Sequence, residues 1–366
     1  MICSPIIRDT TLDTVKALYT QESPVYIETG EDKVETLRRV LDLAHFDAHV
    51  ERTYQSSQKP RSAFRIAIKP NLMTASKREE ASPVYTDPLL VESLIAHLRE
   101  CGFVSTAVVE SRNVYDYSYQ GRSVAAVAEM AGYSAHGYTI EDLTAQQEPY
   151  DYGGVLGRHT VGRAWRDADF RISFAKNKTH WQCYYTGCMK NIYGCLPAWD
   201  KMQHYHGRHR EFYECCILML EAFPVHFALL DAWVSGDGLS GHVRDAHPNH
   251  TQTIIASPSV LALDWVMGEK MGLDPQQNAV VREAINRWGM PSIHRHGDMT
   301  PWQPWNNVSP LVIWALDGIE ELYGLSRFLA RACASEQDTR FPPVRRWQWL
   351  FGPLQRLTGY IERLLS

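Results

Sequence analysis

The segment at residues 177–210 contains the densest set of side chains that could carry out chemistry. Its sequence is NKTHWQCYYTGCMKNIYGCLPAWDKMQHYHGRHR, with four histidines, three cysteines and three lysines. Imidazole and thiolate groups bind transition metals, and imidazole also transfers protons near neutral pH. The cysteine spacing matches neither a zinc ribbon nor a ferredoxin motif, so we expect the cysteines to fill core space. The histidines are candidates for catalysis or metal binding, with buried structural histidines as the alternative.

Lysines follow two predicted strands. Lys69 and Asn71 follow the apolar run FRIAI, and Lys176 and Lys178 follow DFRISFA. A lysine beside backbone N–H groups at a strand end suits a carboxylate or a phosphate. We therefore predict that these four residues bind an anionic substrate. A solvated surface position is the alternative for each lysine.

A glycine-rich segment, SGDGLSGH, follows a third apolar run, ALLDAWV. Its glycines allow positive φ angles and a close approach of backbone N–H groups to a ligand. The segment is neither a Walker phosphate loop nor a dinucleotide-binding fingerprint. We predict that Gly236 and Gly238 contact the substrate and that Asp237 is a metal ligand, with a tight structural turn as the alternative.

The elements that must position these residues alternate between strand and helix. FRIAIKP reads as a strand, a helix follows with Asp87 as N-cap and ends at Gly102, and STAVVES reads as the next strand. This pattern predicts an α/β fold, with a mainly parallel sheet flanked by helices. We expect strands within residues 64–72, 105–111, 169–175 and 225–234. Ligands bind at the carboxyl ends of such strands, so the polar loops should converge on one cleft.

The composition changes near residue 298, which divides the chain into an α/β domain at 1–297, as one or two lobes, and a C-terminal helical segment at 298–366. Two helices are expected in that segment, at 311–333 and about 344–365. The last one has apolar residues at helical spacing with arginines between them. Such a helix packs on its own domain, forms a homodimer or lies on a membrane surface.

Global composition excludes several classes of protein. The chain has 366 residues, 45% of them hydrophobic, and a formal net charge of −5, which does not favour nucleic acid as a partner. No apolar run has the length of a transmembrane helix, and charges interrupt the N-terminus too early for a signal peptide. Eight cysteines without a CxxC pair indicate reduced thiols. We therefore expect a cytoplasmic protein.

The order of the motifs resembles a known family. The blocks IKPNL, TDPLLVESL, AKNKTH, MKNIYG, LLDAWV with GDG, and ASPSVLALDWVMGEKMGLDP occur in this order. As a set they resemble the bacterial and archaeal family called domain of unknown function 362, over residues 64–289. This chain has Leu239 where the glycine loop of that family usually has proline. It also lacks the four-cysteine ferredoxin segment of some members, so no iron–sulfur cluster is expected.

A more distant resemblance, to the nickel-pincer lactate racemase family, rests on spacing. In that family a histidine is followed ten residues later by the lysine that tethers the cofactor, and a nickel-binding histidine follows after sixteen more. His180, Lys190 and His206 repeat both intervals. The resemblance implies that His180 is an acid/base group, Lys190 the tether and His206 the metal ligand, with Lys69 at the anionic end of the substrate. The run before the lysine differs, because Gly187-Cys188-Met189 stands where the family has Gly-Gly-Arg.

These observations predict a metal-associated enzyme that acts on a small carboxylate or another anionic metabolite. The reaction is proton transfer, isomerisation or redox chemistry, with His180 as the proton-transfer group. His204 or His206, with Asp237, would bind a divalent metal such as nickel, alone or as a pincer-like group. A metal-dependent hydrolase and a non-catalytic carrier of a metal or cofactor remain as alternatives.

Overall fold

The structure is a computed structural model, and it describes residues 11–73, 75, 82–117, 119–180, 182–199, 201, 205, 208–238, 247–302, 305–308, 341–342 and 344. The described helices are α1 (Leu12–Thr20), α2 (Lys33–Leu43), α3 (Phe46–Ser57), α4 (Pro88–Glu100), α5 (Val124–Ala131), α6 (Arg163–Arg166), α7 (Gly187–Asn191), α8 (His209–Ala222), α9 (Val260–Lys270) and α10 (Ala279–Trp288). Short 3-10 helices lie at Arg61–Ala63, Val114–Tyr117, Ile192–Cys195 and Pro275–Gln277. Among the described residues, no helix is both long enough and apolar enough to cross a membrane.

The described strands are β1 (Ser23–Thr29), β2 (Arg65–Pro70), β3 (Ser105–Glu110), β4 (Thr139–Asp142), β5 (Gln147–Gly153), β6 (Gly157–Gly162), β7 (Phe170–His180), β8 (Tyr184–Tyr185), β9 (Phe227–Asp237), β10 (His247–Asn249), β11 (Thr253–Ser257) and β12 (Ile293–Gly297). Ten of them form one sheet, whose main path has the order β12-β1-β11-β9-β7-β2-β3-β4, while β5 and β6 form a separate hairpin. Strands β9, β7, β2, β3 and β4 are parallel to one another, and β11 is antiparallel to both of its neighbours. The predicted α/β fold with a mainly parallel sheet is confirmed.

The βαβ unit predicted from the sequence is present as β2, α4 and β3. The Asp87 side chain accepts a hydrogen bond from the Leu89 backbone N–H, and Pro88 occupies the first turn of α4, where a missing N–H leaves no bond unmade. Gly102 follows the helix with a φ of 84°, a conformation that glycine adopts without strain. These local signals explain why the helix begins and ends where the sequence predicts.

The sheet is buried on both faces, and successive strand residues pack into two different hydrophobic clusters. On β2, Ile66 and Ile68 belong to the cluster with α2, α3, α4 and α5, whereas Ala67 belongs to the cluster with α8, α9 and α10. Side chains alternate across a strand, so a sheet with helices on both faces needs apolar residues at nearly every position. This packing fixes the strand ends that carry the polar residues.

Strands β7 and β9 run further than expected. The loop expected at Lys176 to His180 is wrong, because all of these residues lie in β7. The central part of β7 pairs with β2 and β9, and Thr179 and His180 pair with β8. The strand thus continues through a run of polar residues, because the neighbouring strands complete its backbone hydrogen bonds.

The beginning of the predicted C-terminal segment packs against the α/β domain. The Trp302 backbone N–H donates to the Lys270 carbonyl at 2.6 Å, and the Trp302 side chain is buried in the same cluster as α9. The helices expected at 311–333 and at 344–365 lie outside the described residues, apart from Val344. The division of the chain at residue 298 therefore remains a prediction.

Candidate functional site

The carboxyl ends of β2, β3, β7 and β9 lie side by side and carry buried charges. Lys69 lies near the end of β2, Glu110 ends β3, Lys176 lies in the second half of β7, and Asp231 lies in β9. A parallel sheet gathers such residues at one edge because all of its strands point the same way. The side chains at this edge fall into groups with different contacts.

The first group surrounds Lys69. Its Nζ atom lies 2.9 Å from Glu110 Oε2 and 3.1 Å from Asn191 Oδ1. Asn191, at the end of α7, donates from Nδ2 to the Lys69 carbonyl at 2.6 Å. Gly194 lies so close that an added Cβ would be 2.5 Å from Lys69 Cε and 2.7 Å from Glu110 Oε1. The Lys69 charge is therefore neutralised by one carboxylate in a tightly filled space.

Lys201 is a second buried lysine near this ion pair. Its Nζ atom lies 2.6 Å from Ser111 Oγ and 2.8 Å from the Arg112 carbonyl oxygen. Burial lowers the pKa of Lys201 from 10.5 to about 8, although the charge of Glu110 acts in the opposite direction. Neutral oxygen atoms replace part of its hydration, but neither of these two partners carries a charge.

Lys190 is the third lysine of this region. It lies in α7, is half-buried, and its Nζ atom is 5.8 Å from the centre of the Phe212 ring. Burial lowers the pKa of Lys190 below its usual 10.5, and the charge of Lys69 lowers it further, while Cys183 and Cys216 act the other way. In the part of the chain that the structure describes, Lys190 forms no hydrogen bond or ion pair. We call Lys69, Lys190 and Lys201, with Glu110 and Asn191, the amine cluster.

The chain must reverse direction to place α7 over β7. Tyr184 and Gly187 adopt positive φ angles of 64° and 63° in this reversal. Asp264, from α9, accepts hydrogen bonds from the backbone N–H groups of Cys188 at 2.6 Å and Met189 at 2.9 Å, so it caps the first turn of α7. Burial raises the pKa of Asp264 to about 7, although these two N–H groups act against the rise. This carboxylate holds the short helix that carries Lys190.

Gly194 and Pro197 in the sequence predict a turn after Lys190, and the segment does turn there instead of continuing as one helix. Helix α7 ends at Asn191, a 3-10 helix covers Ile192–Cys195, and Leu196 is extended. The Gly194 carbonyl then accepts a hydrogen bond from the Ser111 backbone N–H at 3.2 Å. This contact returns the chain to the end of β3, beside the amine cluster.

The second group, around Lys176, is fully paired. Lys176 Nζ lies 3.0 Å from Asp231 Oδ2, which also accepts from the Asp87 N–H at 2.9 Å, and Asp231 Oδ1 accepts from the Trp233 N–H at 3.0 Å. Asn71 Oδ1 accepts from the Lys176 backbone N–H at 2.7 Å. The predicted anion-binding residues Lys176 and Asn71 therefore have protein partners that tie β2, β7 and β9 together.

The third group lies at the far end of β7 and β9. Lys178 is buried and pairs with Gly236 in the strand ladder, and an added Cβ at Gly236 would lie 2.4 Å from the Pro83 carbonyl oxygen. Thr179 Oγ1 donates to the Gly238 carbonyl at 3.0 Å. The glycine positions thus allow a close approach to the protein's own backbone. His180 Nδ1 accepts from the Gln182 N–H at 3.2 Å, an arrangement that puts the proton of a neutral ring on Nε2.

The strand register separates Lys69 from His180, although both were expected at one cleft. Lys69 pairs with Ser173 on β7, and His180 lies seven residues further along that strand. A strand rises about 3.3 Å per residue, so the two positions are separated by roughly 20 Å along the sheet. The structure brings Lys178, His180 and Asp237 near one another, and Lys69 near Lys190, but it keeps these two sets apart.

Comparison with known proteins identifies the family of this chain. Residues 66–269, more than half of the sequence, match the family model described as domain of unknown function (DUF362). The chain belongs to this family. The family expected from the order of the motifs is therefore confirmed. All five residues of the amine cluster lie within the matched region.

Two individual proteins resemble this DUF362 member. A thylakoid-associated protein of Synechocystis sp. is 26% identical over 226 residues, which cover 58% of this chain and 64% of that protein, slightly less than two thirds of its length. The lactate racemase apoprotein of Thermoanaerobacterium thermosaccharolyticum is 12% identical, with a TM-score of 0.32, and the match covers 65% of this chain and 55% of the racemase. A TM-score this low transfers neither a cofactor nor a residue role.

Of the three residues expected to bind a metal, Asp237 lies among the described residues. His204 and His206 lie outside the described residues. Asp237 Oδ2 accepts from the Asn306 backbone N–H at 2.8 Å and side chain at 3.1 Å, and Oδ1 accepts from the N–H groups of Gly238 and Asn307 at 2.8 and 3.2 Å. Four N–H donors thus satisfy the two oxygens of the Asp237 carboxylate, and three of these hydrogen bonds tie residues 306–307 to β9. The described residues at this edge do not supply a metal-ligand set for this DUF362 member.

The cysteines of the opening segment are core residues, as expected. Cys183, Cys188 and Cys195 are buried, free of disulfides, and part of one hydrophobic cluster. Burial raises the pKa of the Cys188 and Cys195 thiols well above the usual value. Protonated thiols in an apolar environment are poor metal ligands and poor nucleophiles.

Three residues were not predicted from the sequence: Glu110 and Lys201 of the amine cluster, and Asp264, which caps α7. Glu110 ends the strand STAVVES, and a carboxylate at a strand end on the predicted rim was a signal that could have found it. Lys201 lies inside the opening segment, but its burial depends on the turn after Pro197. Asp264 is the single charged residue in the first eight residues of α9, VLALDWVM, and a lone acid in an apolar run is the usual sign of a buried carboxylate with a specific partner.

Proposed function

We propose that the protein is an enzyme that catalyses proton transfer on a small carboxylate or related anionic metabolite, with Lys190 as the base. The amine cluster supports this proposal because it holds three lysines and only Glu110 as a carboxylate partner. Glu110 is committed to Lys69 at 2.9 Å. A small anion would supply the negative charge that Lys190 lacks among the described residues.

The chemistry follows from the surroundings of Lys190. An amine whose pKa lies below 10.5 is deprotonated in a larger fraction of molecules near neutral pH, and a neutral amine can accept a proton. Phe212 supplies an apolar wall, and Lys69 supplies a nearby positive charge. These two features lower a lysine pKa in known amine catalysts. A carbonyl-bearing acid would also meet a nucleophile suited to imine formation.

The other lysines of the cluster would act on the substrate's charge. A carboxylate placed beside Lys190 would lie near Lys69, whose charge already acts on Lys190, and Lys201 lies beside the Lys69–Glu110 pair. The part of this positive charge that Glu110 leaves uncompensated would stabilise a negative charge that develops on the substrate. The role of His180 in proton transfer, and those of His204 and His206 in metal binding, remain separate predictions from the sequence.

The proposal is tested by hydrogen–deuterium exchange at carbon. The full chain is incubated in heavy water with a panel of short 2-hydroxy and 2-oxo acids, and loss of the proton next to the carboxylate or carbonyl group is followed by NMR. We expect exchange with at least one acid, and a loss of about 10²-fold or more in Lys190→Met, since a positioned base contributes ~10²–10⁴-fold.

The matched control is Lys270→Arg. Lys270 is also a lysine whose pKa burial lowers, but it donates to the Asp298 and Thr300 carbonyl oxygens at 2.9 and 2.6 Å, away from the cluster. This variant should keep the exchange activity. Exchange that persists in Lys190→Met, or that is absent with every acid of the panel, would contradict the proposal.

A further inference from the structure

The opposite edge of the sheet carries a separate set of metal-binding side chains. Phe46 opens α3 and packs on Phe170 and Phe227, which are the first residues of β7 and β9, with ring centres 6.3 and 4.9 Å apart. Helix α3 therefore covers the amino ends of these strands. Asp47 in α3 faces the last turn of α4 at this edge, away from the amine cluster.

Three different ligand types meet there. Asp47, His97 and Cys101 place a carboxylate oxygen, a ring nitrogen and a sulfur within 4.8 Å of one another. His97 Nε2 lies 2.6 Å from Asp47 Oδ1. Cys101 directly follows α4 as its C-cap, four positions after His97, so the two side chains lie on the same side of this helix end. Ligands of a tetrahedral zinc ion are about 3.5 Å apart, given bonds of ~2.0–2.3 Å, so small side-chain movements would complete the geometry.

We propose that Asp47, His97 and Cys101 form a binding site for Zn²⁺ or a divalent cation of similar ligand preference. The carboxylate and the thiolate offset the two positive charges, and neutral imidazole completes a nitrogen, oxygen and sulfur set that zinc accepts. The Cys101 thiol loses its proton on binding, and that proton goes to solvent.

The fourth position would be open. A cavity of about 400 Å³ adjoins the site and is lined in part by Asp47, Glu51, Arg61 and Cys101. Arg61 Nη2 binds both Glu51 oxygens, at 3.0 and 2.8 Å, and its guanidinium lies 4.5 Å from the Tyr54 ring centre. Glu51 is therefore engaged by arginine, which leaves water from this cavity as the fourth ligand.

Binding at this site would link α3 to α4 and thereby stabilise the folded chain, because the unfolded chain does not hold the three ligands together. The site lies at the other edge of the sheet and needs no residue of the amine cluster. The inference is thus independent of the proposed function.

Cobalt titration of the full chain, prepared without a histidine tag, tests the site. Co²⁺ occupies zinc sites and gives a thiolate-to-cobalt charge-transfer band in the near ultraviolet, so one equivalent should produce this band. Zinc should then remove it by displacement. Cys101→Ser should abolish the band, and His97→Gln or Asp47→Asn should weaken cobalt binding by more than about 10-fold.

Two controls separate this site from others. His136→Gln, at an exposed histidine outside the site, should leave the titration unchanged. The double variant His204→Ala/His206→Ala should also keep the band. A band that survives in Cys101→Ser, or one that is lost in the double variant alone, would overturn the inference, as would the absence of any band in the unsubstituted protein.

Discussion

Lys176, in β7, and Lys190, in α7, are two lysines whose charges have different surroundings. Lys176 contacts Asp231 at 3.0 Å, and backbone N–H groups of Asp87 and Trp233 satisfy the remaining positions of that carboxylate. Lys190 has an aromatic ring, two thiols and another lysine around it, with no carboxylate partner among the described residues.

The difference separates a structural lysine from a functional candidate. A buried charge with a complete set of partners holds strands together, and its removal leaves the partner charge uncompensated. A desolvated amine without a counter-ion stabilises nothing, so stability alone does not explain its presence. Positions that oppose stability in this way are concentrated at functional sites.

The largest expected effect is the loss of the Lys176 pair. Asp231→Ala should lower the free energy of unfolding by about 3–5 kcal/mol, because it leaves the Lys176 amine buried and unpaired. Urea unfolding followed by circular dichroism measures the change. The double variant Lys176→Met/Asp231→Leu should recover most of the loss, since apolar residues can replace a buried pair. A loss below about 1 kcal/mol in Asp231→Ala would mean that the pair with Asp231 does not stabilise the fold, so that Lys176 would not differ from Lys190 in this respect.

A second prediction concerns Lys201 and pH. Its pKa is about 8 in the folded chain and about 10.5 in the unfolded chain, so the unfolded chain binds more protons between these values. Stability should therefore rise with pH in this interval, relative to Lys201→Met, by up to about 3 kcal/mol. Unfolding curves of both proteins from pH 8 to 10.5 give the difference. A flat difference would mean that Lys201 keeps its proton as easily as in water.

A third prediction tests how tightly the amine cluster is packed. Gly194→Ala adds a methyl carbon that would lie 2.5 Å from Lys69 Cε and 2.7 Å from Glu110 Oε1, closer than van der Waals contact allows. We expect a loss of about 1–3 kcal/mol, because the ion pair must shift. The change at Gly157, where an added Cβ meets no atom within 4 Å but φ is 49°, isolates backbone strain as a control. A loss below about 1 kcal/mol in Gly194→Ala would show that the cluster has room for a methyl group.

The smallest effect is expected at an exposed pair. Lys59 Nζ lies 2.6 Å from Asp169 Oδ1, and 41% of the Lys59 side chain is exposed. Lys59→Met should change the free energy of unfolding by less than about 1 kcal/mol, because water screens the pair. The same urea experiment measures it. A change as large as that of Asp231→Ala would show that distance between the charges, and not burial, decides the effect.

The sequence predicts local features of this fold well. The cap at Asp87, the stop at Gly102 and the turn after Lys190 depend on residues close together in the chain, and the structure confirms all three. The apolar strands of the parallel sheet are recognised for the same reason.

Partners distant in sequence are not predictable in this way. Lys176 meets Asp231 55 positions away, and Lys69 meets Glu110 41 positions away. From the sequence, the lysine-rich run is therefore expected to form an anion-binding loop, although Lys176 pairs with Asp231 on the neighbouring strand. The contact between Asp47 and His97 spans 50 positions, and only the helical spacing of His97 and Cys101 is visible in the sequence. Long-range pairing decides which polar residues are structural, and it requires the fold.

We propose that Lys190 has an amine of lowered pKa that binds a small anion. The rate at which the peptide containing Lys190 is acetylated by acetic anhydride, measured by mass spectrometry across pH in the native chain, reports this pKa directly. Lys190→Arg identifies the signal. We predict a midpoint below 10.5, moved upward when a small carboxylate binds beside the amine and stabilises its protonated form. A midpoint at or above 10.5, unaffected by any small anion, would contradict the account.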